Sequence, residues 1–321
     1  MDFETFILKQ MKRAGVNKKN SVEIFHTYKD LFVKAFTHKS ANPTDNYDML
    51  EAFGDKIINT CLFDALQEKY PTLDQGTVTL AFQKAKSEEI FSREGVKEGF
   101  FDHVIMSPEY KHDCLIWRDL NNNPQKYTII QDTNIQNVLE IDSKTRLKQI
   151  FLNPSNDKED IYRKVLEDTV ESFCGALCKS INLWTDSRMG PGAEMVYRWA
   201  LPIIEDLPFD CTNVDETRNI KQQMKEFWDT VYAQDVAEGR KMTNFMMYWH
   251  DKHNSRPGQI IMHATDPNPK QKGKKQILAS VIGPNQKYAQ LYVAQLVFPM
   301  IKQYYASKYE KGLAYKQSLI K

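Results

Sequence analysis

Two predicted helices, each with acidic residues along one face, constrain the fold of this chain more than any other feature of its sequence. The acids are Asp48, Glu51 and Asp55 in the first helix, and Asp168 and Glu171 in the second. These spacings bring side chains to one face of a helix, and apolar residues occupy the opposite face in both segments. Like charges at such spacings repel only weakly, so each acidic face by itself is most simply read as a solvated surface.

An interior glycine accompanies each acidic face, Gly54 in the first helix and Gly175 in the second. Glycine within a helix costs about 1 kcal/mol relative to alanine, so its presence twice indicates that another backbone approaches closely at each position. We therefore expect the two helices to cross there and to bring their acids together. Carboxylates gathered from two helices suit Mg²⁺, an ion that can promote phosphodiester cleavage.

The length and composition are those of a globular protein with room for two hydrophobic cores. The chain has 321 residues, of which 41% are hydrophobic and 26% charged.

The chain lacks both a run of roughly 18 apolar residues and the basic and apolar regions of a signal peptide. We therefore expect an intracellular protein, in the cytoplasm or nucleus, with no membrane partner. The five cysteines show no Cys-x-x-Cys spacing, which favours free thiols over a zinc site.

Changes in sequence pattern divide the chain. Residues 1–207 have mainly helical periodicity, interrupted at about 99–157 by a segment rich in Pro, Asn and Asp that we interpret as an insertion. An acidic, proline-containing segment, 208–216, is the predicted linker. Residues 217–321 follow the order helix, three strands, helix. The predicted fold class is therefore α+β: an all-helical domain with an insertion, followed by an α-β-β-β-α domain.

The C-terminal region is the more basic part of the chain. The predicted strands are Asn244–His250, Gln259–Thr265 and Gln276–Ile282, with a closing helix from about Gln286 to Tyr305. The net charge of the whole chain is +1, but from Asp266 onward ten lysines stand against two acids. An acidic region before Asp266 and a basic region after it suit a metal-using catalytic domain followed by a polyanion-binding domain. A solvated lysine-rich surface is an equally good interpretation of the basic region.

The motifs around the acids resemble those of the ribonuclease III family. The segments Thr37-His-Lys-Ser40 and Asp48-Met-Leu-Glu51-Ala-Phe-Gly-Asp55 are similar to its Thr-His-Arg-Ser-type element and its Glu-Arg-Leu-Glu-Phe-Leu-Gly-Asp stretch. Leu166-Glu-Asp168-Thr-Val-Glu171-Ser-Phe-Cys-Gly175-Ala resembles the later Leu-Ala-Asp-x-x-Glu-Ala-x-x-Gly-Ala helix. The resemblance covers about residues 20–98 and 158–206, and leaves the insertion unexplained.

The resemblance implies a metal-dependent endonuclease that cuts double-stranded RNA. By position, Glu51, Asp55, Asp168 and Glu171 would hold the catalytic Mg²⁺, or Mn²⁺ in its place, and Asp48 would be a supporting acid. The resemblance also implies a homodimer formed through the catalytic domain, with RNA across both copies and short 3′ overhangs in the products.

Three positions depart from the family pattern. Asn46-Tyr47 stands where the family has an Asn directly before the first acid, Lys56 replaces a small residue, and Gln75 falls where many members have a Glu. These changes leave two alternatives open. One is a catalytically inactive double-stranded RNA-binding protein that sequesters or scaffolds RNA, and the other is a structural partner in a larger particle.

The C-terminal pattern resembles a double-stranded RNA-binding domain. The segment Gly283-Pro-Asn-Gln-Lys287-Tyr-Ala289 is similar to the start of the last helix of that domain, and Lys287 matches one of its lysines. A lysine at a helix N-terminus can contact phosphates across a groove. Lys274 and Lys275 lie in a predicted loop between strands, where they either add phosphate contacts or are simply solvated.

Overall fold

The computed structural model describes most of the chain. The described residues are 1–122, 128–131, 147–150, 160–188, 190–213, 217, 220–239, 248–254, 260–266, 276–283 and 286–319. They form two compact units, one of residues 1–118 and 160–218 and the other of residues 119–159 and 219–321.

The first unit is built of helices. They are α1 (Phe3–Arg13), α2 (Lys18–Thr27), α3 (Lys29–Ala35), α4 (Asp48–Lys69), α5 (Gln75–Ala85), α6 (Glu88–Glu98), the start of α7 (Pro108–Asn122), α8 (Ile161–Trp184) and α9 (Pro191–Glu205), with a 3-10 helix at Phe100–His103. The predicted helical character of this part of the chain is confirmed.

Helix α8 is the central element of the first unit. The apolar residues at helical spacing opposite its acids, among them Leu166, Val170, Phe173 and Leu177, are completely buried. Phe173 packs in an aromatic cluster, with ring centroids 5.6 Å from those of Phe100 and Trp199. The apolar stripe therefore fixes which way the acidic face of α8 points.

The start of the predicted insertion is a helix, which the sequence interpretation missed. Ser107 accepts a hydrogen bond from the backbone N–H of Tyr110 at 3.2 Å, and Pro108 occupies the first helical position of α7. Both features favour helix initiation. Cys114 and Trp117 of α7 are buried. Farther along the insertion, β1 (Thr128–Gln131) pairs antiparallel with β2 (Leu147–Ile150).

The second unit carries a three-stranded antiparallel sheet. Its elements, besides β1 and β2, are α10 (Ile220–Val231), α11 (Ala233–Ala237), β3 (Tyr248–His250), β4 (Ile260–Asp266), β5 (Gln276–Gly283), α12 (Gln286–Tyr304) and α13 (Ala306–Ser318), with sheet order β3-β4-β5. Trp228, Met262, Val281 and Val297 share one core. The predicted α+β fold class is confirmed, and β4, β5 and α12 match their expected bounds to within one residue. The first part of the predicted strand, 244–247, lies outside the described residues.

Two further features follow from the described residues. All five cysteines are buried free thiols, as expected from their spacing. Among the helices that the structure describes, none has the length and apolar character needed to cross a membrane.

Candidate functional site

The two acidic helices cross at their glycines. A Cβ atom added to Gly54 of α4 would lie 1.8 Å from the carbonyl oxygen of Glu171, and one added to Gly175 of α8 would lie 2.3 Å from the carbonyl oxygen of Leu50. No side chain fits at such distances, so the close approach requires glycine on both helices. The predicted crossing is therefore present in the structure.

Three of the predicted acids meet beside this crossing. Glu51 of α4 and Asp168 and Glu171 of α8 each offer a carboxylate oxygen, and the three oxygens lie within 4.8 Å of one another. Only 5% of Glu171 is exposed, whereas Glu51 and Asp168 are partly exposed. We refer to these three residues as the acidic cluster.

Burial and mutual repulsion favour the neutral form of these acids. Burial raises the pKa of the Glu171 carboxyl to about 9, and the charges of Glu167 and Asp55 add to the effect. Burial also raises the pKa of Asp168, and that of Glu51, where the charge of Asp168 contributes. Within the described residues no hydrogen bond reaches the Glu171 carboxylate, so a cation close to it would favour its charged form.

Asp168 differs from Glu171 because it accepts a hydrogen bond at Oδ2 and has an ion pair at Oδ1, although no hydrogen bond from the described residues reaches that buried Oδ1. The Tyr47 hydroxyl donates a hydrogen bond to Oδ2 at 3.2 Å, and Lys164 Nζ lies 2.7 Å from Oδ1. Lys164 also donates to Glu167 at 3.0 Å. Lys164 stands four residues before Asp168, a spacing that predicts an ion pair on a helix, yet the sequence interpretation did not single it out.

Two predicted site residues are outside the acidic cluster. Asp55 forms an ion pair with Lys56 and accepts a hydrogen bond from Asn59 Nδ2 at 2.5 Å. Asp48 is exposed in the first turn of α4, where its backbone N–H donates to the side-chain oxygen of Asn46 at 2.9 Å. The structure therefore brings three of the five predicted catalytic acids into one cluster.

The predicted RNA-binding lysines belong to the second unit. Lys287 is in the first turn of α12, as the sequence pattern predicted. Lys274 and Lys275 lie outside the described residues, so their role stays a prediction.

Comparison with known proteins gives matches to ribonuclease III proteins. A putative ribonuclease 3 of Frog virus 3 (isolate Goorha) is 26% identical over 183 residues, which cover 56% of this chain and 37% of the viral protein. A ribonuclease 3 of Pelagibacter ubique (strain HTCC1062) is 23% identical over 188 residues, which cover 55% of this chain and 64% of the bacterial protein. The chain thus spans less than two thirds of either curated relative. No protein-family model matches the chain.

Solved structures match the chain at lower sequence identity. The nuclease domain of ribonuclease III from Campylobacter jejuni, 19% identical, covers 57% of this chain and 94% of its own length, with a TM-score of 0.34. Dicer from Pichia stipitis, 13% identical, covers 84% of this chain and 92% of its own length, with a TM-score of 0.30. The motif resemblance and the two curated sequences together identify the chain as a relative of the ribonuclease III family.

Proposed function

We propose that the chain is a Mg²⁺-dependent endoribonuclease that hydrolyses phosphodiester bonds of double-stranded RNA and acts in RNA processing. The observation that carries this proposal is the meeting of Glu51, Asp168 and Glu171 at the crossing of α4 and α8. A group that only maintained the fold would not need three neighbouring carboxylates whose pKa values burial raises.

The acidic cluster fits a divalent cation. Its oxygens lie within 4.8 Å of one another, and hard carboxylate oxygens are the ligands that Mg²⁺ or Mn²⁺ prefers. In this proposal Glu51, Asp168 and Glu171 hold the ion, Asp55 joins them by turning away from Lys56, and Asp48 is a supporting acid. A bound divalent ion offsets the negative charge of the scissile phosphate and of the departing oxygen.

The chain's own residues prepare this site. In the absence of a cation the Glu171 carboxyl keeps its proton at neutral pH, because its pKa is about 9, and cation binding requires loss of that proton. Tyr47 and Lys164 hold the Asp168 carboxylate from its two sides. The close helix contact at Gly54 keeps Glu51 and Glu171 together.

Three further proposals concern the domains, RNA binding and the oligomeric state. We propose that residues 1–207 form the catalytic domain, with 208–216 as a linker, and that residues 217–321 bind double-stranded RNA with Lys287, Lys274 and Lys275. We also propose a homodimer through the catalytic domain, by analogy with the family that the motifs resemble. Sedimentation of the purified chain at two times its monomer mass would support the dimer, and a monomer at every concentration would contradict it.

A second candidate is a catalytically inactive protein that binds and sequesters double-stranded RNA. Two ion pairs favour it, because Lys56 neutralises Asp55 and Lys164 neutralises Asp168 without any metal ion. In this alternative the two lysines replace part of the positive charge that a cation would supply.

Cleavage of a labelled RNA duplex separates the two candidates. The nuclease cuts in Mg²⁺, fails to cut when Ca²⁺ replaces Mg²⁺, and loses activity on Glu171→Gln while its affinity for the duplex is retained. The matched control is Asp64→Asn, an exposed acid on α4 about 13 Å along the helix from Asp55. An intact duplex that is bound tightly by both the original protein and Glu171→Gln would favour the inactive binder instead.

A further inference from the structure

We propose that Tyr47 is a positioning residue for the metal ligand Asp168, and that helix α7 of the insertion holds Tyr47 in place through the stacked ring of His38. This inference rests on the proposed function, since it takes Asp168 as a metal ligand. It assigns a role to the first helix of a segment that the ribonuclease III resemblance leaves uncovered.

The contact between Tyr47 and Asp168 joins two distant parts of the sequence. Only 2% of Tyr47 is exposed, and a buried tyrosine hydroxyl needs a hydrogen-bond partner. Its partner is Asp168 Oδ2, at 3.2 Å, while Lys164 occupies Oδ1. The hydrogen bond from Tyr47 is the one that the structure shows on this carboxylate among the described residues, so the Tyr47 hydroxyl restricts the rotation of the group, and the ion pair with Lys164 adds attraction at Oδ1.

Tyr47 is itself held by the Thr37–Ser40 segment. Its backbone N–H donates to the carbonyl oxygen of Thr37 at 2.9 Å, and its ring contacts that of His38 edge to face, with centroids 5.6 Å apart. Only 3% of His38 is exposed. Burial lowers the pKa of His38 to about 4, so the ring is neutral and adds no charge next to the acids.

Helix α7 contributes to this arrangement through Tyr110. The ring of Tyr110 stacks on His38, with centroids 4.2 Å apart and planes 22° from parallel. The chain just before α7 is tied to the same segment: the backbone N–H of Ser107 donates to Ser40 Oγ at 3.0 Å, and Ser40 Oγ lies 2.8 Å from His38 Nδ1.

The backbone supports the same connection. The N–H of His38 donates to the carbonyl oxygen of Ile105, and the N–H of Ile105 donates to that of Phe36, both at 2.8 Å. These bonds form a short parallel bridge between the Thr37–Ser40 segment and the entry to α7. A displacement of α7 would therefore move His38 and, through it, the ring of Tyr47.

The test is the affinity of the full chain for Mn²⁺, measured by calorimetry without RNA. Tyr47→Phe removes only the hydroxyl, and we expect the dissociation constant to rise about tenfold, as for other groups that orient a metal ligand. The matched control is Tyr197→Phe, which removes a hydroxyl bonded to the Glu68 carboxylate elsewhere in the first unit and should leave Mn²⁺ affinity unchanged.

Measurements of cleavage and of stability distinguish a positioning role of Tyr47 from a purely structural one. If Tyr47 positions Asp168, the Mn²⁺ concentration for half-maximal RNA cleavage rises about tenfold in Tyr47→Phe, while the rate at saturating Mn²⁺ and the melting temperature in EDTA stay close to those of the original protein. Equal Mn²⁺ affinity in Tyr47→Phe and the original protein would overturn the inference. Absence of Mn²⁺ binding by the original protein would overturn both the inference and the proposed function.

Two substitutions of Tyr110 test the contribution of helix α7. Tyr110→Leu keeps an apolar side chain but removes the ring that stacks on His38, and should raise the Mn²⁺ dissociation constant about threefold. Tyr110→Phe keeps the ring and should leave the constant unchanged. A normal affinity in Tyr110→Leu together with a weakened affinity in Tyr47→Phe would overturn the part assigned to α7.

Discussion

Burial of Glu171 connects the protonation of a single residue to the stability of the fold. Its carboxyl has an ordinary pKa of 4.5, and burial together with the charges of Glu167 and Asp55 raises the value to about 9 in the folded chain. Between these two values the folded chain keeps a proton that the unfolded chain has released. The free energy of unfolding therefore falls as the pH rises through this window.

Unfolding by urea in EDTA tests this linkage. We expect the free energy of unfolding of the original protein to fall between pH about 5 and about 9 more steeply than that of Glu171→Gln, because glutamine cannot titrate. Mg²⁺ should reduce the fall at high pH, since it binds only the deprotonated site. Identical pH profiles for the two proteins would contradict the raised pKa of Glu171.

The sequence predicts the acids better than it predicts their partners. Glu51, Asp168 and Glu171 follow from helical spacing and from the motifs, because each spacing refers to a single helix. The hydrogen bond between Tyr47 and Asp168 joins residues 121 positions apart, so no local pattern indicates it. Asp55 shares its helical face with Glu51 but pairs with Lys56, which shows that a common face does not fix the direction of a side chain.

Among the elements, the crossing of α4 and α8 is the one that the sequence predicts most firmly. Two interior glycines were the signal, because each costs helix stability that only a close contact can offset. Helix α7 carries a weaker signal: after Ser107 and Pro108 it buries Cys114 and Trp117 within a largely polar segment. Such a pattern is easily taken for a loop, which is why the helix was missed.

Alanine at position 54 tests the crossing. The added Cβ would lie 1.8 Å from the Glu171 carbonyl oxygen, so α4 and α8 must separate. We expect Gly54→Ala to lower the free energy of unfolding by about 3 kcal/mol, despite the better helix propensity of alanine, and to abolish Mg²⁺-dependent cleavage. Gly76→Ala, at the start of α5, is the control, since its Cβ would meet only a side-chain oxygen of Asp74 at 3.1 Å. A fully stable and active Gly54→Ala would mean that the helices do not approach this closely.

Some lysines of the basic C-terminal region make contacts within the second unit. In the second unit Lys308 pairs with Asp235 at 3.1 Å and lies 3.7 Å from the ring centroid of Tyr232, and Lys316 donates to Thr230 Oγ1 at 3.0 Å. These contacts attach α13 to α10 and α11. Part of the positive charge that suggested a polyanion partner therefore stabilises this unit.

Of the three lysines proposed to bind RNA, Lys287 is the one within the described residues, in the first turn of α12. We expect Lys287→Ala to weaken binding of an RNA duplex regardless of the RNA sequence. We also expect the slope of the logarithm of the binding constant against the logarithm of the salt concentration to become smaller in magnitude by about one, which corresponds to the release of about one ion fewer. Lys302→Ala removes the same charge at the other end of α12 and is the control. Equal salt dependence in the two variants would contradict a phosphate contact by Lys287.

Cleavage of the protein itself by bound Fe²⁺ tests the claim that the crossing of α4 and α8 holds a divalent cation. With Fe²⁺ in place of Mg²⁺, ascorbate and peroxide generate hydroxyl radicals at the ion, which cut the nearby backbone. We predict cuts near Glu51 and near Asp168 and Glu171 that excess Mg²⁺ suppresses and that Glu171→Gln lacks. Cuts elsewhere in the chain, or cuts at these residues that neither Mg²⁺ nor the substitution affects, would contradict the claim.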